Sequence, residues 1–151
     1  MEAGLIDYRQ IILPRNKRDQ GLKKLLELTI EEIKALGPIT IFDFTIQGLF
    51  TWTGNLHLQE SVFFTFRHDD LVDKKIEKAT IKKAVVQGDR LQLVHIQLSN
   101  DGGAYDYASL LQGVLDTCEE NKSYKLGSIY FDHKMEDNAI QLPFFALTFI
   151  K

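Results

Sequence analysis

The clearest pattern in the chain has a period of two. Between Ile39 and Thr53 the even positions read Thr40, Phe42, Phe44, Ile46, Gly48, Phe50 and Trp52, and the odd positions after Ile41 are mostly polar. Side chains alternate across a strand, so this run predicts a strand with one buried face. From Leu56 to Phe66 the even positions are again apolar apart from Glu60, and Gly54-Asn55 between the runs marks a turn. The buried face selects the register. A two-residue loop at Gly54-Asn55 puts the two apolar rows on opposite faces. A three-residue loop, Thr53-Gly54-Asn55, pairs Trp52 with Leu56, Phe50 with Leu58, Ile46 with Val62, Phe44 with Phe64 and Phe42 with Phe66. A one-residue slip flips every side chain, so the second register is expected.

Fully extended, the first run would span roughly 50 Å. A compact chain of this length has a diameter of roughly 40 Å. The hairpin must therefore bend or overhang. Gly48 lies opposite Glu60 in the chosen register, and glycine inside a strand marks bends and bulges. A bend is expected there, dividing the hairpin into a root and a tip.

Two segments have a helical period instead. Leu22, Leu25, Leu26, Ile30, Ile33 and Leu36 recur at three- and four-residue spacing with charged residues between them. This predicts an amphipathic helix, capped by Asp19 and ended by Gly37-Pro38. Tyr105, Ala108, Leu111, Leu115 and Cys118 form a second stripe after the turn at Asn100-Asp101-Gly102-Gly103. The remaining elements are short. Residues 5–13 read as a strand ended by Pro14, and a short helix carries Leu71, Val72 and Ile76 after His68-Asp69-Asp70. A hairpin around Gly88-Asp89 sets Val86 against Leu91 and Ile81 against Ile96. A terminal hairpin around Glu136-Asp137-Asn138 ends in a strand apolar on both faces, hence an inner one. Pro143 within it demands a missing ladder bond or a bulge.

The expected fold is α+β: a mostly antiparallel sheet with two main helices, divisible into two βαββ-like halves, in a single domain over residues 1–151. Tandem βαββ arrangements occur in effector-binding modules and glyoxalase-like folds, an analogy of topology that carries no function.

Composition supports a folded, soluble chain of 151 residues with 44% hydrophobic and 26% charged residues. The longest wholly apolar run, Phe144 to Leu147, has four residues, against the roughly 20 that a membrane-spanning helix needs. The first residues carry an acid at Glu2 and no apolar core of a signal peptide. The single cysteine allows no internal disulfide. A reducing, cytoplasmic setting without membrane association is expected. The net charge of −3 is uneven. Residues 100–151 hold eight acids against four lysines, and residues 1–99 hold thirteen acids against fourteen bases. The basic clusters, Arg15, Lys17, Arg18 and then Lys74, Lys75, Lys78, Lys82, Lys83, read as solvated faces. Nucleic acid is not the expected partner.

Reaction motifs are missing from the sequence. His57, His68, His95 and His133 show no two-His helical ligand spacing. There is no G-x-S-x-G elbow and no phosphate-binding glycine loop. Cys118 falls on an apolar stripe next to Glu119 and Glu120, which disfavours a thiolate. No catalytic residue, metal or cofactor is expected. Two features stand out. Glu60 interrupts an apolar row, so it either turns outward at the bend or lines a pocket as a ligand-binding carboxylate. Phe50, Trp52, Leu56 and Leu58 cluster beyond the bend and form a partner-binding patch if nothing covers them. The sequence therefore suggests a non-catalytic protein-binding module: an inhibitor, immunity-type partner, adaptor or assembly subunit, or a homo-oligomer. The alternative is a small-ligand or enzymatic site in a cleft between the two halves.

Overall fold

The computed structural model describes residues 5–13, 21–47, 61–68, 80–99, 106–136 and 140–151. In chain order the elements are β1 (Ile6–Ile12), α1 (Gly21–Leu36), β2 (Ile39–Gln47), β3 (Ser61–His68), β4 (Thr80–Gln87), β5 (Leu91–Ser99), α2 (Tyr107–Glu120), β6 (Lys125–Glu136) and β7 (Ile140–Ile150). They form two antiparallel sheets, ordered β1-β3-β2 and β4-β5-β7-β6. The α+β reading is correct.

The strand order also exposes a repeat. The unit β1-α1-β2-β3 has its third strand between the other two, and so does β5-α2-β6-β7, with β4 added beside β5. The halves meet through equivalent elements: α1 against α2, and β2 against β6. Both helices lie on one side of the sheets, packing on β1, β3, β4, β5 and β7.

α1 forms where its stripe demands. Leu22, Leu25, Leu26, Ile30 and Ile33 are buried, and the Thr29 hydroxyl, also buried, donates to the Leu25 carbonyl at 2.8 Å. Burying each large aliphatic side chain contributes about 1.5–3 kcal/mol. Gly37 ends the helix at φ 78°, a left-handed position that a Cβ would strain. α2 buries Ala108, Leu111, Leu115 and Cys118 as expected, and Leu110, Val114 and Thr117 as well. Its N-cap is Asp106, whose carboxylate accepts from the Ser109 backbone N–H at 3.1 Å.

The β2–β3 register keeps Phe44 opposite Phe64 and Ile46 opposite Val62, the even-with-even pairing expected from the buried face. Phe42 departs from it. The register shifts between Ile41 and Asp43, so Ile41 rather than Phe42 lies opposite Phe66. Ile41 is 1% exposed and Phe42 is 38% exposed. A β-bulge adds one residue to one strand and reverses the facing of everything beyond it. The three-residue loop, the bend at Gly48/Glu60, the Asp19 cap and the short helix after His68 lie outside the described residues, as do Tyr105 and the turn at 100–103.

The β4–β5 hairpin is offset by two residues from expectation: Val86 faces Leu93 and Ile81 faces Leu98. Its turn centres on Asp89-Arg90, closed by the Gly88 N–H donating to the Leu91 carbonyl at 2.8 Å. A shift of two leaves every side chain on its face, so periodicity alone cannot detect it. β7 is an inner strand, paired to both β5 and β6. Pro143 causes no register shift; it pairs opposite His133, and the β5 ladder runs only as far as Phe144. The irregularity in β6 lies instead at Gly127, where a Cβ would stand 2.9 Å from Ile150 Cδ1.

Candidate functional site

β2 and β6 face each other where the two halves join, and a groove of about 440 Å³ opens along them. Phe42, Asp43, Thr45, Tyr130 and Asp132 line its exposed part, and Phe44 and Phe131 its floor. The floor is continuous with the core. The Phe44 ring lies 5.8 Å from Phe131 and 5.2 Å from Phe145 between centroids, so one β2 side chain reaches β6 and β7 of the other half.

Local structure places each exposed group. The bulge after Ile41 turns Phe42 outward, where the Arg67 guanidinium sits 5.6 Å from its ring centroid. Asp43 follows, and its backbone N–H donates to Thr65 Oγ1 at 3.2 Å. On β6, Tyr130 and Asp132 are two residues apart and share a face. The Tyr130 hydroxyl donates to Asp132 at 2.7 Å, and the His133 backbone N–H donates to the same carboxylate at 2.8 Å. These two donors hold the Asp132 carboxyl below the usual range, and the carboxylate in turn raises the Tyr130 phenol. The phenol stays protonated, so Tyr130 is a hydrogen-bond donor and not a base.

His133 joins the halves from the inner side of β6. It is half-buried and edge-on to Phe131 at 5.2 Å, and its ring donates to the backbone carbonyl of Ile41 in β2. Burial lowers its pKa below the usual 6.5, and Asp132, Ile41 and Asp43 offset only part of that. The fold therefore prefers the neutral ring. As pH falls through 6.5, the unfolded chain takes up a proton that the folded chain refuses, so folding stability drops and then levels once the folded ring also protonates. His133→Gln is expected to show a smaller loss of urea midpoint between about pH 7.5 and about pH 5.5 than the parent chain. An equal loss in both would contradict the assignment.

The second exposed surface is the face of the larger sheet opposite α2, which no helix among the described residues covers. Successive ladder rows across β4, β5, β7 and β6 run Val86, Leu93, Thr148, Ser128 and then Ala84, His95, Ala146, Tyr130. Val86, Leu91, Leu93 and Tyr130 are all exposed there, Tyr130 by 54%. His95 stacks on Phe144 with centroids 4.6 Å apart.

The groove residues bring together two carboxylates, a phenol and aromatic rings, and the Thr65 hydroxyl donates to the Asp43 carboxylate at 3.4 Å; the Ser109 hydroxyl donates to Asp106 at 2.6 Å as part of the α2 cap, away from the groove. Cys118 is buried in α2, and its thiol is pushed up to about 12 by desolvation, which leaves it protonated and inert. No group of three or more His, Cys, Asp or Glu stands together among the described residues. Adjacent lysines on a strand point to opposite faces: Lys82 shares a face with Ala84, while Lys83 pairs with Glu120 of α2 at 2.7 Å. The two do not make one basic surface. No helix among the described residues is long and apolar enough to cross a membrane.

The residues singled out from the sequence, Glu60 as ligand-binding and Phe50, Trp52, Leu56 and Leu58 as partner-binding, lie outside the described residues. The groove was not anticipated residue by residue. One signal for it was present: Ile39 and Ile41 are apolar at odd positions, and Phe44 and Ile46 at even ones. That change of phase marks a bulge, and the bulge exposes Phe42. Comparison with protein-family models, with curated proteins and with solved structures gives no match.

Proposed function

We propose that this chain is a non-catalytic protein-binding module. Its partner lies across the face of the β4–β7 sheet opposite α2 and the β2/β6 groove. The observation that carries this reading is the set of exposed apolar side chains Val86, Leu91, Leu93 and Tyr130, spread over adjacent ladder rows of a face that ordinary antiparallel sheets keep polar. Asp43 and Asp132 at the groove define the partner's chemistry: an apolar protein segment flanked by lysine or arginine. Phe50, Trp52, Leu56 and Leu58 remain proposed contacts of the same partner. The single cysteine is consistent with a cytoplasmic setting.

The test has two stages. The tagged chain captures its partner from the native host, and the identified partner is then titrated alone against purified variants. Tyr130→Ala is expected to weaken binding by about tenfold or more, and Asp43→Lys to weaken it further at low salt than at high. A partner that binds both variants as it binds the parent overturns the reading.

A second reading has its own support. The groove between the halves, at about 440 Å³, has the volume of a small-molecule site. In that case a metabolite would raise the melting temperature of the parent chain but not of Asp132→Asn, with no protein partner needed.

A further inference from the structure

β1 is an outer strand. Among the described residues it pairs with β3 on one side and with no strand on the other. Its backbone direction can be read from two hydrogen bonds. The Tyr8 N–H donates to the Asp7 carboxylate at 2.8 Å, and the Tyr8 carbonyl accepts from the Arg9 guanidinium at 2.8 Å. Both groups therefore point away from β3. In an antiparallel ladder the N–H and C=O of one residue point the same way and those of the next point oppositely. The backbones of Ile6 and Gln10 thus also face outward, while Asp7, Arg9 and Ile11 bond toward β3.

The side chains add a second pattern. Ile6, 66% exposed, and Tyr8, 61% exposed, lie on the face away from α1, where the Tyr8 ring stacks on Phe63 at 5.6 Å. Asp7 and Arg9 lie on the other face and pair at 3.2 Å; Arg9 also reaches Glu32 of α1 at 3.3 Å. The strand therefore carries one acid and one base symmetrically about Tyr8.

We propose that β1 pairs with β1 of a second copy of this chain, antiparallel about a two-fold axis at Tyr8. That register sets the outward-facing Tyr8 backbone opposite its counterpart, and Ile6 opposite Gln10 on both sides of the axis. These are the positions whose N–H and C=O groups are directed outward, so each pair exchanges two ladder bonds. The same register puts Asp7 opposite the partner's Arg9 and Arg9 opposite the partner's Asp7, in the pairs whose side chains approach most closely. Asp7 and Arg9 release the Tyr8 backbone to the new ladder and exchange their contact within the strand for one across it. On the opposite face the stack of Phe63 on Tyr8 continues across the axis. β2 and β6, also outer strands, face each other across the groove; β4, the outer strand at the far edge of the larger sheet, lacks this symmetry, carrying Lys82 and Lys83 and no acid, and lysine on an edge discourages pairing. The proposal is independent of the partner-binding reading, since β1 lies on the far side of β3 from the groove.

Sedimentation equilibrium of the full chain at rising concentration tests it. The parent chain is expected to form a dimer. Tyr8→Pro removes an outward N–H without costing a β3 ladder bond, so it is expected to stay folded by circular dichroism and to be monomeric. Asp7→Arg alone or Arg9→Asp alone sets like charges across the axis and is expected to weaken the dimer by about tenfold or more. The double variant Asp7→Arg/Arg9→Asp restores opposite charges and is expected to recover it. A parent chain that remains monomeric throughout, a dimer untouched by Tyr8→Pro, or a double variant no better than the single ones would each overturn the proposal.

Discussion

Phe64→Ala is expected to destabilise the chain by about 3–5 kcal/mol, the largest loss from any single truncation in the smaller sheet. Phe64 is fully buried on β3, the strand that holds both β1 and β2. Its ring stacks on Phe44 with centroids 6.0 Å apart and lies 5.6 Å from Phe66. Phe44 in turn touches Phe131 and Phe145 of the other half. The truncation therefore opens a cavity in the middle of an aromatic row that runs from one half into the other. Interiors are packed too tightly to close such a gap. A urea titration should show a midpoint lower by about 2 M for a chain of this size. Phe64→Leu keeps most of the volume and is expected to cost about 1.5 kcal/mol or less. Similar midpoints for the Ala and Leu variants would show that the row is not packed as described.

The same row explains how much of the fold could be read from residues alone. Phe44 and Phe64 had to share a face because one face of the hairpin is buried, and a slip of one residue would have put every ring in water. α1 was equally legible. Its apolar stripe and the Gly37-Pro38 stop describe a physical object that needs no tertiary partner to be recognised. The β4–β5 offset was not legible in this way. Moving the turn from Gly88-Asp89 to Asp89-Arg90 shifts the pairing by two and changes no side chain's face, so the hydrophobic pattern is silent. The groove was the least legible feature. Asp43 and Asp132 are far apart in sequence and line one groove only because β2 and β6, equivalent strands of the two halves, lie against each other. No local pattern encodes that meeting. The phase change between Ile41 and Phe42 was visible, and reading it as continued alternation placed Phe42 on the wrong side.

That side is directly testable, and the expected contrast is large. Ile41→Asp puts a carboxylate where the side chain is 1% exposed, against Phe66 on the core face of β2. The Arg9 guanidinium over Phe66 already pairs with Asp7 and Glu32, and burial holds the His133 ring beside Ile41 toward its neutral form, so the new charge is still poorly compensated, at a cost of about 3 kcal/mol or more. Such a chain should be largely unfolded at neutral pH. The buried carboxyl would have a raised pKa, so it would regain some stability as pH falls through the carboxylate range and the folded state binds the proton more tightly than the unfolded one. Phe42→Asp acts at the next residue and should do very little. The new carboxylate would stand in water near Arg67, exchanging a cation–π contact for an exposed ion pair, each worth about 1 kcal/mol or less. Far-UV circular dichroism and a thermal melt of the two variants distinguish the alternatives. If strict alternation ran unbroken from Thr40 to Thr53, the outcome would be reversed: Phe42→Asp would unfold the chain and Ile41→Asp would be tolerated. A folded Ile41→Asp would therefore remove the bulge, and with it the outward-facing Phe42 that lines the groove.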